Sequence, residues 1–289
     1  MASQSHTTHR PKFEEQHPPN KGRLTQYCEQ ALTSLPTKIK NRAVVNICSQ
    51  VKQRPECEST EKRPIFHFDS PGKGGGRTKV LVLAVLHGDE QEGGSIARRW
   101  MQRLIDIRAR NRWRIIPILN PDGMRRKTRT NANGVDINRN FPSNDWDELA
   151  LTYWREKKNS DPRRYPGPGP ASEAETRCVL RHIEDFRPDL IVAVHTPYGV
   201  LDFDGPSLRF PTLKGLPWVS LGTFPGSLGR YMWRDKKTPV LTVELKGDAL
   251  LAKLDEVDFL QDIAGTVSLR VNSSIIKSQT STNRNDSLK

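Results

Sequence analysis

Apolar residues along the chain fall into four unbroken runs, separated by stretches in which they recur at helical spacing. The runs are KVLVLAVL (Lys79–Leu86), WRIIPIL (Trp113–Leu119), LIVAVH (Leu190–His195) and PVLTVEL (Pro239–Leu245). Continuous Val, Leu and Ile with no polar alternation describes strands covered on both faces. Between the first two runs, Ile96, Trp100, Leu104 and Ile107 keep helical spacing. Before the third, Val179, Ile183 and Phe186 do the same, and Ser172 and Glu175 stand at capping-box spacing ahead of them. Leu250, Leu254 and Val257 open a closing helix, and residues 24–70 hold enough apolar residues for one helix and one strand. Ser143–Pro170 is rich in Pro, Asp, Trp and Tyr and reads as a long surface loop or a set of short turns. Buried strands alternating with amphipathic helices predict an α/β fold: a mixed, largely parallel central sheet flanked by helices on both faces.

The two ends lack this patterning. Residues 1–22 and 273–289 read as disordered tails around one catalytic domain at 23–272. No apolar run approaches the ~20 residues of a membrane helix, and residues 1–22 lack the apolar stretch of a secretory signal. The default expectation is therefore a cytoplasmic protein without a membrane partner, or a periplasmic one if a signal has been removed. A net charge of +13 favours anionic partners such as a cell-wall polymer. It does not identify one, and no basic stripe with interleaved aromatics suggests nucleic acid. Cys28, Cys48, Cys57 and Cys178 form no C-x-x-C pair; Cys48 and Cys57 could bridge, but reduced thiols are the expected state.

Ligands in sheets of this kind bind beyond the carboxyl ends of the strands. Three of the four runs end in groups suited to metal chemistry. His87 ends the first, with Glu90 three residues on, where a helix begins; His195 ends the third, and Glu244 lies near the end of the fourth. Two imidazoles and one carboxylate with an open position make a catalytic zinc site. Alone, H-x-x-E is weak, because a strand-end turn followed by a helix-start carboxylate accounts for it. Glu244 tells more, since an ionised carboxylate in an apolar strand needs a partner or a task.

With these residues stand NPDG (Asn120–Gly123) and RTNANGVDINRNFP (Arg129–Pro142), too polar for a buried strand and too specific for a linker. Together with HGDE (His87–Glu90), the strand end at His195 and TVEL (Thr242–Leu245), they resemble the zinc metallocarboxypeptidase family of the carboxypeptidase A type over residues 60–268. The resemblance implies one Zn2+ held by His87, Glu90 and His195, with Glu244 as general base and then general acid. Asn138 and Arg139 would clamp the terminal carboxylate of a small peptide, a bidentate task suited to a guanidinium. A further arginine would hold the oxyanion; Arg129 is preferred to Arg126 because smaller bacterial members carry an arginine just before N-x-x-G-V-D.

HGDE, NANGVDINRNFP and PGSLG look more like the bacterial murein tripeptide amidases than the digestive members. That implies hydrolysis of the γ-D-glutamyl–diaminopimelate bond, with Arg230 meeting the distal carboxylate and Asp202 or Asp204 the distal amine. The family's mobile tyrosine is missing where this chain reads LGTFPG, and Tyr231 is the nearest replacement. The alternatives are a general carboxypeptidase acting on L-peptides and a zinc deacylase resembling aspartoacylase or succinylglutamate desuccinylase. A non-enzymatic module binding an anionic polymer ranks below both, because the whole set of zinc ligands is present.

Overall fold

The computed structural model describes residues 21–37, 40–210, 215–246 and 254–286, with side chains described as far as Val271. Residues 1–20 of the tail expected at 1–22, the end at 287–289 and Leu250 lie outside the described residues, while Lys21 and Gly22 already belong to a helix. At the centre, β3 (Lys79–Ala84), β4 (Arg112–Ile116), β5 (Leu190–His195) and β7 (Val240–Glu244) run parallel. Antiparallel strands close both edges: β1 (Lys52–Glu58) and β2 (Pro64–Ser70) on one side, β6 (Val200–Asp204) on the other. The strand order is β1-β2-β4-β3-β5-β7-β6. This is the expected mixed sheet, with all four apolar runs at its centre.

Alternation along each central strand sorts side chains between two cores. In β3, Val80, Val82 and Ala84 join Trp100, Met101 and Val257 on one face. Leu81 and Leu83 join Cys178, Val179 and Phe186 on the other. Each buried Val or Leu contributes about 1.5–3 kcal/mol relative to an exposed one, so both faces must be covered. The first core takes residues from α1 (Lys21–Thr33), α2 (Asn41–Cys48), α3 (Gln91–Asp106) and α7 (Leu254–Asp286); the second takes them from α6 (Ala174–Phe186). Trp100 of α3 donates through Nε1 to the Val257 carbonyl of α7 at 2.8 Å, which satisfies its polar atom inside the core.

Several local expectations are corrected. The chain before residue 70 forms two helices and two strands rather than one of each. Within 143–170 lies α5 (Trp146–Lys157), with Asp147 and Glu148 in its first turn and Arg155 and Lys157 in its last. Those charges complement the helix dipole, a signal obscured by the flanking prolines. The Ser172–Glu175 capping box does not form: α6 begins at Ala174, after Glu173. Glu175 is fully buried and accepts from Thr60 N and Asn131 Nδ2, each at 3.0 Å. The backbone of α7 stays helical through residue 286, beyond the expected start of a tail at 273. The cysteines are not free thiols but form the pairs Cys28–Cys48 and Cys57–Cys178. Linear spacing concealed the second pair, whose members lie 121 residues apart.

Candidate active site

Strand register builds the site. His195 is paired directly with Glu244 at the carboxyl ends of β5 and β7. His87 follows the neighbouring β3 by way of Val85, whose φ of 52° is unusual for a β-branched residue and turns the chain out of the sheet. The next turn allows only glycine: a Cβ on Gly88 would lie 2.0 Å from the Gly123 carbonyl carbon, so HGDE and NPDG pack backbone to backbone. Glu90 then meets both histidines ahead of α3. Its Oε1 lies 2.7 Å from His87 Nδ1 and its Oε2 lies 2.8 Å from His195 Nδ1.

All three groups are buried, and one donor atom from each falls within 4.8 Å of the other two. Burial pushes the Glu90 carboxyl up, but the two imidazoles outweigh it and hold the group well below the usual range. A carboxylate between two converging imidazoles fits a divalent ion, and two nitrogens with one oxygen is a donor set zinc accepts. Glu244 faces the same space. Its Oε2 is buried without a hydrogen-bond partner, and burial pushes its carboxyl up against the downward pull of His195.

The stretch 129–142 surrounds this centre, and its asparagines divide between construction and display. Asn131 Oδ1 accepts from the backbone of Asn133 and Val135, while Asn140 Nδ2 donates to the carbonyls of Pro166 and Gly169. Asn138 and Arg139 instead line a cavity of about 670 Å³ with His87, Glu90, Arg129, His195 and Glu244. Arg139 is 7% exposed and lies 4.7 Å above the Phe224 ring. It donates to its neighbour's carbonyl, yet among the described residues no carboxylate pairs with it. Asp136 acts on it only from beyond ion-pair distance, and a buried guanidinium without a paired carboxylate is costly unless a ligand supplies one. Arg129 donates from Nε to Asp136 Oδ2 at 2.9 Å, with Nη1 3.7 Å from Glu90 Oε1.

Two sequence candidates lie elsewhere. Arg126 turns outward and pairs with Glu61. Arg230 is held by Asp145, which Arg234 shares, and does not line the cavity. Tyr231 stacks on Phe141 away from the site; the aromatic groups on the cavity wall are Tyr198 and Phe224. The side wall is acidic. Asp202 accepts from the backbone of Phe203 and Leu221, while burial and Asp202 together push the Asp204 carboxyl up to about 6. Gly229 opens the floor beside it, since a Cβ there would sit 2.0 Å from Asp204 Oδ2.

Sequence reasoning missed Asp136. It is fully buried, faces His87 Nε2 at 3.2 Å, and accepts from Arg129 Nε and Asn138 N at 2.9 Å each. Its position two residues before Asn138 was the available signal.

A central parallel sheet with buried imidazoles and carboxylates at its carboxyl edge, and on the cavity wall a buried guanidinium that no carboxylate pairs with among the described residues, defines a class. The chain belongs to the zinc carboxypeptidase family, whose sequence pattern matches residues 48–202. It is 32% identical over 141 residues to murein peptide amidase A of Escherichia coli K12, covering 48% of this chain and 57% of that protein. The chain thus spans little more than half the length of that relative. Murein peptide amidase A of Vibrio campbellii is 29% identical over 196 residues, covering 63% of this chain and 74% of that protein. The crystal structure of the murein-tripeptide amidase of E. coli O157 shares the fold, with a TM-score of 0.55 at 24% identity, over 75% of this chain and 91% of that one.

Proposed function

We propose that the protein is a zinc-dependent peptidase that hydrolyses the bond next to a free C-terminal carboxylate, and that murein peptides ending in diaminopimelate are its substrates. The carrying observation is Arg139, a buried guanidinium that faces the cavity and has no carboxylate partner among the described residues. A substrate's terminal carboxylate supplies that partner in bidentate geometry, with the Asn138 amide beside it. Family membership and the two relatives named murein peptide amidase A support the substrate class.

His87, Glu90 and His195 would hold the zinc, which when bound supplies Lewis acidity, making a water more acidic and polarising a carbonyl. Glu244 receives the proton of the attacking water on its unpartnered oxygen and returns it to the departing amine. Arg129, fixed by Asp136, stabilises the charge that develops on the carbonyl oxygen. Asp136 also bonds the free nitrogen of His87, keeping its other nitrogen turned to Glu90.

Asp202 and Asp204 favour a terminal residue carrying a cationic group, and the distal ammonium of diaminopimelate meets that need. Arg230 cannot serve the distal carboxylate while Asp145 holds it. That specific observation favours a second reading, a carboxypeptidase for peptides ending in lysine or arginine. Two closed disulfides fit an oxidising compartment better than the cytoplasm expected by default. The deciding experiment incubates zinc-loaded protein with L-Ala-γ-D-Glu-diaminopimelate and with lysine- and alanine-terminated L-peptides, read by mass spectrometry beside Glu244→Gln. Release of diaminopimelate, absent from the variant, supports the murein reading. Release of lysine alone selects the second reading, and no cleavage of any peptide overturns both.

A further inference from the structure

A second set of metal-ligating side chains lies on the opposite side of the sheet from α3 and α7. Cys178 and His182 are one helical turn apart on α6 and share a face. Cys57 of β1 reaches the same place, and one donor atom from each of these three residues lies within 4.8 Å of the other two. All three are fully buried. His67 of β2 points to this side as well, since its neighbours Phe66 and Phe68 belong to the other core. Its ring stands edge-on to His182, with centroids 4.7 Å apart.

The imidazoles are what a disulfide alone does not explain. Neither ring nitrogen of His182 has a hydrogen-bond partner, nor does His67 Nδ1, and all three atoms are buried. Buried imidazole nitrogens are ordinarily satisfied, because each gives up water on folding. Burial holds His182 down to about 2, so it is a neutral ligand with a free lone pair. The other nitrogen of His67, Nε2, faces the Asp69 carboxylate at 3.6 Å. A carboxylate behind an imidazole whose other nitrogen is left unpartnered is the arrangement that orients metal-bound histidines.

We infer that, with its cysteines reduced, the cluster of Cys57, Cys178, His182 and His67 binds one thiophilic divalent ion such as Zn2+, and that disulfide and metal complex are alternative states of one site. Tetrahedral zinc places thiolate and imidazole donors about 3.5 Å apart, which small side-chain shifts supply once the S–S bond opens. A dithiol reductant opens it by exchange: its two thiols become a disulfide, and their electrons and protons pass to Cys57 and Cys178. Zn2+ then displaces the two thiol protons to solvent.

The test uses the full chain with Co2+ as probe, since cobalt on thiolate gives a near-ultraviolet charge-transfer band that imidazole and carboxylate ligands do not. Bound metal per chain is measured with and without a phosphine reductant. Reduced wild type should take up one more ion than the oxidised protein and show the band. Cys28→Ser/Cys48→Ser should keep both, and His182→Ala should lose both. Equal metal content in the two redox states would overturn the inference, as would a band that disappears with Cys28 and Cys48. If His182→Ala does not fold, the wild-type redox pair and the Cys28→Ser/Cys48→Ser variant still decide it.

Discussion

The two histidine clusters have opposite hydrogen-bond economies. At the carboxyl edge of the sheet, His87 meets carboxylates through both nitrogens, and His195 meets one through Nδ1. Under α6, three nitrogens of His67 and His182 meet nothing. Carboxylates hold the first pair in position and Glu90 and Asp136 bias the His87 ring toward positive charge, while burial holds the second pair neutral. The first cluster lines a cavity; the second is buried between the sheet and α6 and lines no cavity of that kind. Buried imidazoles alone therefore do not mark an active site. Acidic partners, an opening and a charge awaiting its complement do so together.

The contrast is sharpest in substitutions whose readouts differ. Glu244→Gln should lower kcat on the order of 10⁴-fold while zinc content and unfolding midpoint stay unchanged. Cys57→Ser/Cys178→Ser should leave kcat and zinc content unchanged and lower the unfolding midpoint. By loop-closure entropy, breaking this 121-residue link costs about 5 kcal/mol, against about 3 for the 20-residue Cys28–Cys48 link, measured by urea unfolding without metal. Turnover lost from the cysteine variant while it remains folded would break the separation between the clusters. Arg129→Ala should cost about 10²–10³-fold in kcat with little change in KM, since in its proposed role its charge acts only as the oxyanion develops.

Asp204 gives a smaller, pH-dependent effect. Its carboxyl, pushed up to about 6, is ionised above that pH and neutral below it, whereas a substrate lysine stays charged throughout. Preference for lysine- over alanine-terminated peptides should therefore fall about tenfold from pH 8 to pH 5, and Asp204→Asn should be low and flat. Taking the ratio of kcat/KM for the two peptides cancels titration of the groups they share. Smallest of all, Arg126→Ala should change kcat/KM less than about twofold, because its partner Glu61 lies outside the cavity.

How much the sequence disclosed follows from locality. His87, His195 and Glu244 were legible because each sits at or near the end of an apolar run, and parallel strands bring such ends together. Asn138 and Arg139 were legible through the motif around them. Arg230 was misjudged because its partner Asp145 lies 85 residues away, across a contact no local pattern reports. The same limit hid Cys57–Cys178 and its histidines, spread over three elements. The helix at 146–157 was hidden differently: it is only partly buried and carries a weak apolar stripe, so its turn-rich flanks dominated the pattern.

Asp136 has a consequence of another kind. One carboxylate ties together the ring of His87, the guanidinium of Arg129 and the backbone of Asn138, beside Arg139. In the proposed function, the span from the grip on a peptide's last carboxylate to the place where its chain is cut would thus be a fixed length, kept by a single buried group. Such a peptidase would carry a ruler one residue long. A change at Asp136 would blur the ruler as well as slow the cut, letting go of the certainty that one residue, and no more, comes off at a time.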